Sequence, residues 1–371
     1  MRLLALLAKE FRQFRRDRRM VVMALVAPVL QLLLLGYAAN LDVQQLPVAV
    51  CDQDRSSDSR RLVVEIQQTG YFRLVKETQR TEDLQHFLDL GKAQLALHIP
   101  PGFSDALRKG AAPLQLIVDG SDSNSAGVGA GYLAGLVAQY GQLYLIERLK
   151  AIGMYSRVPT IQTEPRIFYN PALESRFFMV LGVMGMVLMI ISGTLTALAI
   201  VKEREAGTLE QVMVTPIRAR ELLLGKLVPY MVVGSIDALL VLAVLLAWFQ
   251  VPHSGSLVLF LLSCLLYLMT ASGMGLLVST LSTTQQQAQM LMFLIMFPNI
   301  LLSGFIFPIA NMPQWLQTLT YAVPMRYFLV CLRSIMLRGA GLVELWPQLL
   351  AMLGLGLLLV GAGALTFRKR L

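Results

Sequence analysis

The chain alternates long uncharged apolar runs with short segments that collect its charges. No Asp, Glu, Lys or Arg occurs from Met20 to Leu41, from Phe177 to Val201 or from Leu345 to Phe367. A fourth uncharged stretch, Ala238 to Met325, is 88 residues long. A helix needs about 20 apolar residues to cross a hydrocarbon layer about 30 Å thick. The first three stretches therefore predict one crossing each, and the fourth holds several. Polar and Pro/Gly breaks at 250–256, 279–287 and 308–313 divide it. Six spans result, at roughly 20–40, 177–201, 227–249, 257–278, 287–307 and 346–367.

Composition agrees with this pattern. Of 371 residues, 56% are hydrophobic and 15% charged, with a mean hydropathy of +0.61; soluble proteins carry about 25% charged residues. A soluble enzyme, a disordered chain and a secreted disulfide scaffold are all excluded. Cys51, Cys264 and Cys331 are too few and too scattered for a disulfide framework or a metal site.

Lys and Arg are retained on the cytoplasmic side of spans. Residues 1–20 carry +5, 201–226 carry +1 and 368–371 carry +3, which accounts for the whole net charge of +9. With six crossings these segments share one side, so both termini and the 201–226 loop are expected in the cytoplasm. The rest holds 17 basic and 17 acidic residues and offers no nucleic-acid surface. A basic start followed by an apolar run also describes a signal peptide. Here the run is too long and Ala38-Ala39 is a poor cleavage site, so the first span is expected to remain.

Residues 42–176 read as a separate outer domain with 14 basic and 15 acidic side chains. Strands are predicted at 46–52, 71–75, 94–99 and 113–119, and helices at 56–68, at 81–90 with Thr81 as its cap, and at 123–153. Alternating elements of this kind predict a small α/β domain with a mixed sheet. Gly127-Val-Gly-Ala-Gly131 lacks the spacing of a nucleotide loop and reads as a flexible or close-packed helix start. His86 and His98 have no partners at metal spacing and read as structural or solvated.

Two segments face the cytoplasm. Residues 1–19 form an amphipathic helix with Leu3, Leu4, Leu7, Phe11 and Phe14 on one face. Arg12, Arg15 and Arg16 flank that face, an arrangement suited to the lipid headgroup layer. The second segment starts Lys202-Glu-Arg-Glu205. Gly207 then bends the helix, Thr208 to Val214 make a short helix with Leu209 inward, and Thr215-Pro216 stops it. Glu203, Glu205 and Glu210 can pair with basic groups on a partner or on this chain.

Lys202-Glu-Arg-Glu-Ala-Gly-Thr-Leu-Glu-Gln211 with Val214-Thr-Pro216 resembles the KEREXGTLEQ…TP signature of ABC type-2 exporter permeases. The six-span plan, the basic N-terminus and the large outer domain are similar too, over essentially the whole chain. The resemblance implies an α-helical polytopic protein of a bacterial inner membrane, with a periplasmic α/β domain inserted between spans one and two. It implies that 202–216 is a coupling helix docking on an ABC ATP-binding subunit, and that the chain dimerises with itself or a paralogous permease. A periplasmic adaptor is a further implied partner. No GxxxxGK[ST] occurs, so ATP and Mg belong to the partner and the chain has no catalytic residues of its own.

Several residues are candidates for a path or gate. Asp237 is the acidic residue inside a core span, and either bonds Ser235 or a neighbouring helix or serves transport. Pro298-Asn299 is expected to kink span five. The apolar segment 308–340 resembles the outer re-entrant helices of the family, with Trp315 and Tyr321 at the interface and Phe305, Phe307 and Trp315 as gate candidates. It is either an upper gate or a lid packed on the bundle. The implied cargo is hydrophobic or amphiphilic, a drug or lipid-like molecule moved outward. A membrane sensor with a ligand-binding outer domain is the alternative, but the longest cytoplasmic segment has only about 26 residues. A membrane-embedded enzyme would need clustered acids or His, and Asp237 stands alone in the spans.

Overall fold

The computed structural model describes residues 2–38, 45–152, 168–170, 174–207 and 219–369. The chain divides into two compact units, one of Met1–Leu41 with Arg166–Leu371 and one of Asp42–Pro165.

In the second unit β1 (Leu46–Asp52), β2 (Phe72–Thr78), β3 (Leu95–Ile99) and β4 (Gln115–Val118) form a sheet in the order β2-β1-β3-β4. β1 runs parallel to β2 and β3, and β4 is antiparallel to β3. A central parallel strand is covered on both faces, which is why Leu-Pro-Val-Ala-Val-Cys reads as one apolar run without alternation. Val48 and Val50 pack with Leu62 and Ile66 of α3 (Ser57–Gln68) and with Leu133 of α6 (Ser123–Ala151). Ala49, Cys51 and Ala96 on the other face leave room for Leu84 of α4 (Thr81–Asp89).

Thr81 does not cap α4 as expected. The N-cap is Arg80, which makes no side-chain cap bond, and the Thr81 hydroxyl instead faces the Gln53 amide at 3.4 Å. A short helix not foreseen in the sequence, α5 (Phe103–Lys109), starts where Asp54 accepts bonds from the Gly102 and Ser104 amides at 2.8 and 3.1 Å. Gly129 is the close-packed position of the glycine-rich helix start: a Cβ there would sit 2.7 Å from Leu46. His98 Nε2 lies 3.1 Å from Gln53 Oε1 and His86 is exposed.

The first unit is helical. α1 (Arg2–Arg16) and α2 (Arg18–Ala38) precede the insert; α7 (Ser175–Glu205), α8 (Ala219–Ala247), α9 (Leu257–Leu281), α10 (Gln285–Leu302), α11 (Gln314–Leu319), α12 (Pro324–Arg333) and α13 (Leu342–Lys369) follow it. α7 lies at the centre, packed against α2, α8, α9 and α10. Among the described residues five helices are long and apolar enough to cross a membrane: Met20–Ala38, Ser175–Glu205, Glu221–Ala247, Leu257–Leu281 and Leu342–Thr366.

The expected span at 287–307 is shorter than the sequence suggested. α10 has 18 residues, opens on three Gln and ends at Leu302, because Gly304 (φ +81°) turns the chain. Pro298 lies inside α10, and Asn299 Nδ2 donates to the Ile295 carbonyl at 2.9 Å. Polar residues tie α9 to α7: Ser192 and Ser272 share a 3.0 Å bond, and Tyr267 donates to the Gly185 carbonyl at 2.9 Å.

A charged junction at Lys202–Glu205

Successive helical residues point about 100° apart, so four in a row face four directions. Lys202-Glu-Arg-Glu205 uses all four. Lys202 Nζ lies 3.1 Å from Asp17 Oδ2, at the junction of α1 and α2. Glu203 Oε1 lies 2.8 Å from Lys9 Nζ on α1 and 2.8 Å from Lys226 Nζ on α8. Arg204 Nη1 donates to the Ser279 and Ser282 carbonyls at 3.1 and 2.6 Å. Glu205 Oε1 accepts from the Gln285 amide at 2.7 Å, and its second oxygen takes the Gln285 side chain.

The signs follow helix electrostatics. The unpaired carbonyls at the end of α9 are partly negative and receive a guanidinium. The unpaired amides at the start of α10 are partly positive and receive a carboxylate. The last turn of α7 is thereby tied to α1, α8, α9 and α10 at once.

The centre of the junction is buried. Lys226 is 3% exposed, and its ammonium is 2.8 Å from both Glu10 Oε1 and Glu203 Oε1. Lys9 completes the group at 3.4 Å from Glu10. Two cations and two carboxylates leave no net charge, which is what makes their burial tolerable. Burial of the Lys9 ammonium lowers its pKa, but Glu203 and Glu10 outweigh this and hold it above the usual lysine range. α1 also touches α8 directly: a Cβ on Gly225 would meet Leu6 Cδ2 at 2.2 Å.

α7 ends as the sequence implies. Ala206 caps it, and Gly207 takes the left-handed conformation at φ +67°. Thr208, Leu209, Glu210, Thr215 and Pro216 lie outside the described residues. On α1, Arg12, Arg15 and Arg16 are exposed, Phe14 is half-buried against the bundle, and Phe11 is exposed.

The sequence reading missed Lys9, Glu10 and Lys226 as members of this junction. A signal for Glu10 was present. At 100° per residue it falls between Leu6 and Leu3, at the edge of the stripe continued by Leu7 and Phe14, where an acid has no business without a buried partner. Lys226 sits between Leu224 and Leu227 at the mouth of an apolar run, an equally unusual place.

The gate candidates do not gather in one place. Phe305 is 6% exposed and packs on α7 at Gly182, where a Cβ would meet its ring at 2.0 Å. Phe307 and Trp315 are exposed. α12 is a packed element: Phe328 stacks on Tyr267 with centroids 4.1 Å apart. Among the described residues no three His, Cys, Asp or Glu side chains gather to hold a metal.

The family model described as ABC-2 family transporter protein matches residues 18–365. The probable multidrug ABC transporter permease YbhR of Escherichia coli K12 is 34% identical over 370 residues, covering 100% of this chain and 99% of the relative. The probable multidrug ABC transporter permease YbhS of the same organism is 33% identical over 373 residues, covering 100% and 97%. The inner membrane transport permease YhhJ, also from that organism, is 28% identical over 369 residues, covering 97% and 95%. With a family match across nearly its full length and relatives aligned end to end, the chain belongs to the ABC-2 family of transporter proteins.

Proposed function

We propose that this chain is the permease subunit of an ATP-driven exporter in a bacterial inner membrane, carrying hydrophobic or amphiphilic, drug-like cargo outward. The junction at Lys202–Glu205 carries this reading. One turn of helix, directly before the segment 208–218, is bonded to four other helices. A force applied to that segment reaches α1, α8, α9 and α10 through short, charged contacts. The force comes from a separate ATP-binding subunit that holds ATP and Mg, since this chain has no phosphate-binding loop. α10 is the sixth crossing, both termini and the 208–218 segment are cytoplasmic, and the α/β unit is periplasmic. There it is available to an adaptor protein. A second permease, the same chain or a paralogue, completes the transporter. The names of the two 33–34% identical relatives support the class of cargo.

The test is co-purification from detergent followed by ATP-driven efflux in proteoliposomes. A nucleotide-binding subunit is expected to copurify. Glu203→Ala with Glu205→Ala is expected to insert but not to export. Absence of a nucleotide-binding partner, or unchanged efflux from the double variant, rejects the reading. A reporter fused at residue 210 is expected to signal from the cytoplasm; a periplasmic signal reverses the orientation.

A further inference from the structure

Asp237 is fully buried in α8, and neither carboxyl oxygen has a hydrogen-bond partner among the described residues. The two structural roles open to it in sequence are both unfilled. The Ser235 hydroxyl is used by the Met231 carbonyl, 2.8 Å away, and no neighbouring helix supplies a bond. Asp237 faces the protein: Val233, Ala238, Val241 and Leu245 around it are buried, whereas Ile236, Leu239 and Leu240 are exposed. The adjacent turn meets α9, since a Cβ on Gly234 would lie 2.8 Å from Leu268. Lys226, the nearest basic residue along α8, is eleven positions away, about 16 Å at 1.5 Å per residue. It is already bound to Glu10 and Glu203. Asp237 is thus about halfway through a layer about 30 Å thick.

A buried acid with no partner destabilises the packed bundle. Replacing it with an apolar residue would remove that cost, so its presence at this depth points to a partner outside the resting fold. We propose that Asp237 is the recognition group for a cationic cargo, a lipophilic amine or onium ion that pairs with its carboxylate when α8 and α9 separate. The inference rests on the permease reading and names the cargo's charge. An apolar path selects for lipophilicity alone; a single acid at mid-depth selects a monocation of the same size over an anion.

Tetraphenylphosphonium and tetraphenylborate share shape and differ in charge. Saturable binding of each to the purified full-length chain in detergent measures the preference directly. Wild type is expected to bind the phosphonium. Asp237→Asn is expected to weaken it by about tenfold, a 1.4 kcal/mol effect, without weakening the borate. Asp237→Glu is expected to stay within about threefold of wild type. The melting temperature of Asp237→Asn is expected to equal or exceed that of wild type, which distinguishes recognition from a structural bond. The proposal is overturned by absent phosphonium binding in wild type, by unchanged binding in Asp237→Asn, or by an equal loss of both ions. Binding needs no ATP-binding subunit. A failure of ATP-driven export therefore counts against the permease reading, while the binding comparison still decides Asp237.

Discussion

Replacing Lys226 with Met keeps the length of the side chain and deletes its ammonium. Glu10 and Glu203 then face each other with their nearest oxygens at most twice 2.8 Å apart. At an effective dielectric of about 20 their repulsion is about 3 kcal/mol. Lys9 stays within 2.8 and 3.4 Å of the same oxygens, but its side chain is 45% exposed and solvent weakens its hold. Removing one member of a buried charge pair costs about 3–5 kcal/mol, and Lys9 brings the expectation to about 3 kcal/mol. For a unit of this size that lowers the melting temperature by about 6–12 °C, readable by scanning fluorimetry of the detergent-purified chain. Lys226→Met with Glu203→Gln removes one charge of each sign and leaves Glu10 with Lys9. We expect it to recover more than half of the loss. A single variant that melts within about 2 °C of wild type, or a double variant that melts lower than the single, refutes the electrostatic account of the junction.

Other expectations follow from the same structure. Arg204→Ala frees the Ser279 and Ser282 carbonyls at the end of α9; a loss of about 2 kcal/mol is expected, and an unchanged melting temperature would exclude the capping role. Gly182→Ala drives a methyl into the Phe305 ring and is expected to cost about 1–3 kcal/mol. Phe305→Ala in the same chain should relieve that clash, so a double variant worse than the sum of the singles refutes the contact. In the α/β unit, burial raises the Asp54 pKa, but the Ser56 hydroxyl and the Ser104 and Gly102 amides outweigh this and hold it below the usual carboxylate range. A depressed folded pKa stabilises above the unfolded value of about 3.9 and is lost as pH falls through the folded one. Asp54→Ala is therefore expected to melt below wild type at neutral pH, and the gap should close in acid. A gap independent of pH removes the carboxylate from the explanation.

The residues that frame the junction were visible in different degrees. Lys202 to Gly207 stood out as a charged turn closing an apolar run, and the left-handed Gly207 follows from local backbone preference. Which group each side chain meets was not visible. Lys9 and Glu203 are separated by 194 positions, and nothing local distinguishes an acid that pairs inside the chain from one that reaches a partner. Asp237 is a similar case. Its depth follows from counting residues, whereas its lack of a partner among the described residues depends on what packs around it.

By itself the sequence determined where the long hydrocarbon-compatible helices lie and where the four strands of the α/β unit fall along the chain. Each depends on short-range physics: a run must be long enough to cross, and every backbone amide in it must bond within the run. Only the tertiary structure decided that α1 is fastened to α8 by a buried charge group and that Arg204 and Glu205 serve the ends of α9 and α10. Such pairings join segments far apart in the chain, and charge attraction depends on distance in space rather than on position in sequence.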